Sequence, residues 1–210
     1  MTMKILMKDP LNLIIIGVGG QGNVVISQLI GNALVREGYL VTFGQTYPSW
    51  QRGGTVINFI RISKELRYSP IIPEGSADII LGMEAVETLR MLVQFGNTGV
   101  TTIINTRAIH PINIAGGEAE YPDINKLIEA IKELSAKLWV IHATEEAQKL
   151  GNPMLANVIL LGALIGSGTL PLDKKSLEPV LRERFPKLIE LNMTAFGKGM
   201  ELIGSGVITN

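Results

Sequence analysis

The sequence predicts an α/β fold, a Rossmann-like three-layer domain in which helices cover both faces of a mostly parallel sheet. Two observations support this prediction. Apolar runs with the length of strands alternate with helical patterns along most of the chain, which is typical of parallel sheets. A glycine-rich turn, Gly17–Gly22, directly follows the first apolar run and precedes an amphipathic stretch, as in sheets that bind phosphate groups. The length of 210 residues suits one such domain, so we expect a single domain over residues 1–210.

The predicted strands are apolar runs bounded by turn-forming residues. Six runs qualify: Leu11–Ile16, Leu40–Phe43, Thr55–Ile62, Ala77–Leu81, Val100–Asn105 and Leu138–Ile141. The third run leads through a short polar segment into residues 66–70, where a purely doubly wound sheet would have a helix. This arrangement indicates an antiparallel excursion near residues 55–72.

The predicted helices follow from apolar residues at helical spacing and from capping residues. One helix begins near Asn23, one spans about Ile124–Lys137 with Asp123 as its N-cap, and one begins near Thr144. The C-terminal third is predicted to be helical over three segments, Pro153–Ile165, Ser176–Arg184 and Leu188–Leu202. We expect residues 204–210 to be a frayed tail.

Composition excludes several classes of site. The 19 basic and 19 acidic residues give a formal net charge of zero, so no global field favours nucleic acid or an anionic membrane as a partner. The chain has no cysteine, which excludes disulfides, cysteine-ligated iron–sulfur clusters and thiol nucleophiles, and only two histidines, which disfavours a transition-metal site. Hydrophobic residues make up 46% of the chain, which indicates that a partner covers part of its surface.

No segment of the sequence has the pattern of a membrane span or a secretion signal. The longest apolar stretch, residues 154–165, contains Asn157 and is shorter than the roughly 20 residues that cross a bilayer. Lys8, Asp9 and Pro10 interrupt the apolar residues at the N-terminus. We therefore expect a cytoplasmic protein.

The glycine turn predicts a phosphate site, since Gly17, Gly19 and Gly22 fit the G-x-G-x-x-G spacing and the following helix would direct its free N–H groups at an anion. A nicotinamide dinucleotide site also needs an Asp or Glu near the end of the second strand to bind the ribose. Residues 41–45 contain no acid. NAD is therefore disfavoured as the ligand.

A second loop, residues 46–54, follows the second predicted strand, at the edge of the sheet where open α/β folds place their ligands. Arg52 offers a planar cation suited to phosphate or carboxylate, and Gly53 and Gly54 allow the backbone to approach a ligand closely. The loop is therefore a second candidate for ligand contact.

The two loops together resemble the signature loops of the gamma-type domain of 2-oxoacid:ferredoxin oxidoreductases, most closely the small subunits that act with arylpyruvates such as indolepyruvate. The resemblance continues in the same order along nearly the whole chain. It includes residues 73–81, 84–90, 105–107, 157–163 and 192–196.

The resemblance implies that this chain binds coenzyme A in a complex that decarboxylates 2-oxoacids oxidatively to acyl-coenzyme A. Thiamine diphosphate and iron–sulfur clusters would lie on a large partner subunit, with ferredoxin as electron acceptor, and the chain would form a hetero-oligomer, or a homodimer when isolated. It implies no catalytic or metal-binding residue on this chain. Coenzyme A phosphates would be held by the turn Gly17, Val18, Gly19, Gly20, Gln21, Gly22 and Asn23, with Gln21 and Asn23 as side-chain donors. Ser49, Arg52, Gly53 and Gly54 would line the path to the thiamine.

Two alternatives remain open at this point. A free-standing Rossmann-like reductase would bind NAD(P) or a flavin tightly as an isolated chain. A purely structural partner domain would have an empty glycine turn, and its complex would keep normal turnover when Gln21 and Arg52 are both replaced by alanine.

Overall fold

The computed structural model describes residues 4–46, 54–108, 121–204 and 207–209. Within them, seven strands form one mixed sheet in the order β2-β3-β1-β4-β5-β6-β7. Five strands (β1, β2, β4, β5 and β6) run in the same direction, and β3 and β7 oppose them, so the predicted α/β fold with a mostly parallel sheet is confirmed. The strands are β1 Leu11–Val18, β2 Leu40–Thr46, β3 Thr55–Ser63, β4 Ile79–Gly82, β5 Thr101–Asn105, β6 Lys137–Ile141 and β7 Val207–Thr209.

Six of the seven described helices match predicted ones, with ends that differ by a few residues, and the helix over Ala85–Phe95 is not among those predicted. A 3₁₀ turn over Pro153–Leu155 precedes α5, and the helix predicted over Ile124–Lys137 ends at Glu133 because β6 begins at Lys137. The helices are α1 Asn23–Arg36, α2 Ala85–Phe95, α3 Ile124–Glu133, α4 Ala143–Lys149, α5 Ala156–Gly166, α6 Lys174–Arg184 and α7 Ile189–Ile203.

Helices cover both faces of the sheet and give the three layers that the sequence predicts. Leu13 and Ile15 of β1 pack with α1, α5, α6 and α7 on one face, and Ile14 and Ile16 pack with α2 and α3 on the other. All four side chains are fully buried. A strand covered on both faces needs a continuous apolar run rather than an alternating one, which explains the sequence of β1.

Helices α5 and α7 approach each other closely at their glycines. A side chain at Gly162 would collide with the backbone of Phe196, and one at Gly199 would collide with the carbonyl of Ile159. The backbones of α5 and α7 are therefore in direct contact at these two glycines. No helix within residues 4–204, as far as they are described, is long and apolar enough to cross a bilayer.

The antiparallel excursion is confirmed in β3, which pairs with both β1 and β2, whereas residues 66–70 form no strand. Arg61 of β3, which is 9% exposed, explains why residues 66–70 do not form a strand. Its guanidinium donates to the carbonyls of Ser69 and Ile71 at 3.1 and 3.4 Å and lies 4.9 Å from the centre of the Tyr68 ring. The segment surrounds a buried cation instead of joining the sheet.

The expectation of a frayed tail over residues 204–210 is wrong for residues 207–209. They form β7, which pairs antiparallel with Lys137–Trp139 of β6. Val and Ile favour extended structure, and the pairing supplies hydrogen-bond partners to an edge of β6 that would otherwise be open.

Candidate functional site

The glycine turn is braced by the side chain of Gln21. Its Oε1 accepts a hydrogen bond from the backbone N–H of Val18 at 2.7 Å, and its Nε2 donates to the carbonyl of Met83 at 3.0 Å. A side chain at Gly17 would collide with Gln21 and would lie 2.9 Å from Cβ of Met83. Glycine is therefore needed at position 17 because the brace and the end of β4 occupy the space beside it.

Gly22 is the N-cap of α1 and has a φ of 84°, in the left-handed region that favours glycine. A side chain there would also collide with the amide of Asn157 on α5. Two independent constraints, backbone conformation and close approach of α5, therefore require glycine at the start of α1.

The turn leaves backbone donors unpaired. Gly19 N donates to the carbonyl of Gly54 at 2.9 Å and Gln21 N to that of Val18 at 3.2 Å, whereas the N–H groups of Gly20 and Gly22 have no partner within the described residues. No side chain caps α1, and its first turn contains no acidic residue. The positive end of the helix dipole is thus open to an anion.

A cavity of about 290 Å³ lies beside this turn. Strands β1, β4 and β5 end at it, and Thr144 of α4 follows β6, so it occupies the carboxyl edge of the parallel strands. Helices α1 and α2, which follow the neighbouring strands β1 and β4, pack on opposite faces of the sheet, and such a point of divergence is where open α/β sheets bind ligands. The lining consists of Gly19, Gly20, Gln21, Met83, Asn105, Arg107, Thr144, Pro153, Met154, Ala156, Asn157 and Leu160.

Two polar side chains of the lining have no partner within the part of the chain that the structure describes. Arg107 is exposed and makes neither an ion pair nor a hydrogen bond there. Asn157 is only 9% exposed, yet its amide makes no hydrogen bond among the same residues. The Asn157 amide and the Arg107 guanidinium both supply hydrogen-bond donors to the cavity, so together they favour an anionic ligand with hydrogen-bonding oxygens.

The floor of the cavity is fixed by the carbonyl of Met83. It accepts from Gln21 and also from Nδ2 of Asn105 at 3.4 Å. The Asn105 amide further donates to Oγ1 of Thr144 at 3.0 Å and accepts from its backbone N–H at 3.4 Å. The ends of β4, β5 and α4 are therefore tied to the glycine turn by one hydrogen-bond network.

The start of α2, next to the cavity, is occupied by the protein's own carboxylates. Glu84 caps the helix by accepting from the Glu87 N–H at 2.9 Å and also accepts from the Tyr121 hydroxyl. Glu87 accepts from Thr55 at 2.8 Å and pairs with Arg90 at 2.9 Å. Burial and the Glu84 carboxylate raise the pKa of Tyr121 well above its ordinary value, so the phenol stays a donor. The negative charges of Glu84 and Glu87 at this helix start therefore disfavour an anion there.

The structure places the predicted site residues in different positions. Gly19, Gly20 and Gln21 line the cavity, and Gly17, Val18 and Gly22 shape the turn beside it. Asn23 is 3% exposed and its Nδ2 lies 3.4 Å from the carbonyl of Val56. The side-chain nitrogens of Gln21 and Asn23 thus have protein partners, and their role as phosphate donors stays a prediction. Gly54 supports the turn through its carbonyl, while Ser49, Arg52 and Gly53 lie outside the described residues.

The sequence-based prediction does not include Arg107 or Asn157 among the site residues. Both lie in segments that carry the family resemblance, 105–107 and 157–163. Arg107 also follows a strand end directly, which is a usable signal because ligands bind at that edge. Asn157 follows no strand, and only the packing of α5 against Gly22 brings it to the site.

The family model for pyruvate ferredoxin/flavodoxin oxidoreductase matches residues 12–202. Indolepyruvate oxidoreductase subunit IorB of Archaeoglobus fulgidus is 34% identical over 197 residues, which cover 93% of this chain and 96% of the relative. The IorB subunit of Thermococcus kodakarensis is 35% identical over 192 residues, with 90% and 94% covered.

Two solved structures share the fold. The 2-oxoglutarate:ferredoxin oxidoreductase of Magnetococcus marinus, with 2-oxoglutarate, coenzyme A and succinyl-CoA bound, gives a TM-score of 0.74 at 22% identity. The match covers 94% of this chain but only 32% of that one. Pyruvate oxidoreductase subunit PORC of Thermotoga maritima gives a TM-score of 0.70 at 20% identity, covering 96% of this chain and 98% of that one.

Proposed function

This chain belongs to the pyruvate ferredoxin/flavodoxin oxidoreductase family, and from that membership we propose that it binds coenzyme A for a complex that acts on arylpyruvates. It is a small, gamma-type subunit of a 2-oxoacid:ferredoxin oxidoreductase. Support for the arylpyruvate substrate comes from the IorB relatives, which the chain matches over most of their length. The family match over residues 12–202 supports a single domain.

The observation that carries the proposal is the set of unpaired donors around the cavity. The N–H groups of Gly20 and Gly22, the Arg107 guanidinium and the Asn157 amide all lack partners within the described residues. Coenzyme A carries phosphate groups, and phosphate oxygens accept from backbone N–H groups at a helix start and from arginine. The cavity therefore suits its phosphates better than an uncharged ligand.

The other cofactors of the reaction would lie outside this chain. Thiamine diphosphate on the large subunit would supply the electron sink for loss of carbon dioxide from the 2-oxoacid, and iron–sulfur clusters there would pass electrons to ferredoxin. This chain contains no cysteine to hold such a cluster. Its own contribution would be to hold coenzyme A so that the thiol accepts the acyl group. A hetero-oligomer with that large subunit and a cytoplasmic location are parts of the same proposal.

The end of β2 argues against a nicotinamide dinucleotide as the ligand. The last residues of this strand are Gly44, Gln45 and Thr46, and none of them offers the carboxylate that would bind the ribose. The proposed ligand therefore differs from that of a free-standing NAD-dependent reductase.

Calorimetric titration of coenzyme A into the assembled complex tests the proposal. Arg107→Gln should weaken binding about 10- to 100-fold, the range for a lost charge-assisted hydrogen bond. Gly19→Asp, which puts a carboxylate at the open start of α1, should abolish measurable binding. Lys64→Gln is the matched control, because it removes one positive charge just beyond β3 at the opposite edge of the sheet. Coenzyme A binding of wild-type strength in both Arg107→Gln and Gly19→Asp would overturn the proposal.

A further inference from the structure

A second cavity, of about 250 Å³, lies between α1 and the strands β2 and β3. The two cavities are lined by residues that are close in sequence. Gly19, Gly20 and Gln21 line the first, and Val24 lines the second. Pockets that enclose drug-sized ligands measure roughly 300–1,000 Å³, so this one suits a single ring system. Its lining consists of Val24, Ser27, Gln28, Asn32, Phe43, Gly44, Gln45 and Asn58.

Asn58 gives this cavity an unsatisfied hydrogen-bonding group. The residue is 3% exposed, and its amide nitrogen has no hydrogen-bond partner among the residues that the structure describes. Exchanging the oxygen and nitrogen of the amide would leave an equally unpaired acceptor at the same place. A buried polar atom in this state destabilises the protein until something pairs with it, so Asn58 points to a ligand with hydrogen-bonding atoms.

Among the described residues, the lining carries several amide groups and no charged side chain. Asn58, Gln28 and Asn32 supply amide groups. Phe43, whose ring lies against Gly31 of α1, is 45% exposed and offers an aromatic surface. Amides of Asn and Gln match the amino group and N7 of adenine, an adjacent donor and acceptor, and aromatic rings stack on nucleobases. An uncharged heteroaromatic ring fits this chemistry, whereas a phosphate group does not.

We propose that this cavity binds the adenine base of coenzyme A, through the Asn58 amide and the Phe43 ring, while the first cavity holds phosphate groups. The inference rests on the proposed function, because coenzyme A joins an adenine to phosphates in one molecule. The assignment of one ligand to both cavities rests on their shared lining segment, residues 19–24. The base adds selectivity that phosphate contacts alone do not provide, because any phosphate ester can satisfy them.

Titration of the assembled complex with two probes tests the inference. The probes are coenzyme A and its inosine analogue, in which oxygen replaces the amino group of adenine. The wild type should bind coenzyme A at least about tenfold more tightly than the analogue. Asn58→Leu, which keeps the size of the side chain but removes both of its hydrogen-bonding atoms, should remove that preference. Phe43→Leu should weaken both probes about fivefold or more by loss of stacking, whereas Phe185→Leu, outside both cavities, should change neither.

Each outcome decides between the two proposals. Equal binding of both probes by the wild type, or wild-type coenzyme A affinity in Phe43→Leu, overturns the adenine site and leaves coenzyme A binding intact. Asn58 is buried, so if Asn58→Leu fails to fold, the exposed Phe43 variant decides. If the wild type binds no coenzyme A, the proposed function fails. Saturation-transfer NMR with adenosine then tests the cavity alone. Adenosine binding that is lost in Phe43→Leu supports a purine site, and the absence of binding overturns it.

Discussion

Helices α1 and α2 begin side by side at the carboxyl edge of the sheet, after the neighbouring strands β1 and β4, yet their first turns differ in charge. Helix α2 is capped by Glu84 and carries Glu87 in its first turn. Helix α1 has glycine at its N-cap, no side-chain cap and no acid in its first turn. The positive dipole end is neutralised from within the protein at α2 and left available at α1.

The difference shows that the anion site depends on what α1 lacks as much as on what it contains. Helices α3 and α6 resemble α2, because each begins with a capping carboxylate, from Asp123 and Asp173 respectively. A capping carboxylate at α1 would occupy the place of a phosphate. Substitutions at either kind of helix start test this difference. Their expected effects decrease from Gly22→Ala to Asp173→Asn.

Gly22→Ala should have the largest effect, because it disturbs the open start of α1 twice. The left-handed backbone alone costs about 1–2 kcal/mol for a residue with a side chain, and the new methyl group would collide with Asn157. We expect the free energy of unfolding, measured with urea, to fall by at least about 2 kcal/mol. Gly197→Ala is the control: it lies inside α7 with open space around it, so the stability should rise by up to about 1 kcal/mol. Equal stability of Gly22→Ala and the wild type would contradict the expectation.

Glu84→Ala should destabilise the closed start of α2 by about 1–2 kcal/mol, the value of an N-cap, and it also removes the acceptor of the Tyr121 hydroxyl. Glu84→Gln keeps an acceptor oxygen and should lose less. Urea unfolding of the three proteins gives the comparison. Coenzyme A affinity should stay within about twofold of the wild type in both variants, since Glu84 does not line the first cavity. A large loss of affinity would show that the two helix starts are coupled.

Gln21→Glu should make α1 resemble α2 by adding a carboxylate next to its open turn. The substitution also loses the amide that donates to the Met83 carbonyl. We expect coenzyme A affinity of the complex to fall about tenfold, with a smaller loss at high salt, because added charge at a partly exposed site is screened. Gln148→Glu, at an exposed position of α4 that lines neither cavity, is the matched control for charge. An equal loss in both variants, or a loss independent of salt, would mean that the turn itself does not hold the anion.

Asp173→Asn should have the smallest effect, at a capped helix start far from the cavities. Lys4 and the Ser176 N–H lower the pKa of Asp173 to about 2. Because the folded pKa is below the ordinary value, the carboxylate stabilises the fold above about pH 4, and this contribution is lost as the pH falls towards 2. The side chain is half-exposed, so the loss at neutral pH should stay below about 1 kcal/mol. When the pH is lowered from 7 to 2, the melting temperature of Asp173→Asn should fall less than that of the wild type.

The glycine turn and the start of α1 could be predicted from sequence because local geometry determines them. Positive φ and a tight strand–helix connection restrict the residues at Gly17 and Gly22 directly. The strands could be predicted for a similar reason, since burial on both faces gives apolar runs such as that of β1.

Other features depend on contacts between distant residues and leave little local signal. Asn157 reaches the cavity only through the packing of α5 on Gly22, and the fate of residues 66–70 depends on the buried guanidinium of Arg61. The strand over residues 207–209 forms because β6 presents an open edge to it. Each of these depends on tertiary structure that periodicity and capping rules do not contain.

The doubly accepting carbonyl of Met83 has a consequence for the thermodynamics of ligand binding. Because Gln21 and Asn105 are both held by that one oxygen, the turn and the strand ends around it are ordered before a ligand arrives. Ordering a side chain during association costs about 0.5–1.5 kcal/mol. The side chains of Gln21 and Asn105 are already ordered in the folded protein, so ligand binding does not include that cost. Breaking either hydrogen bond should therefore weaken affinity mainly through a less favourable binding entropy, even where no contact with the ligand is removed.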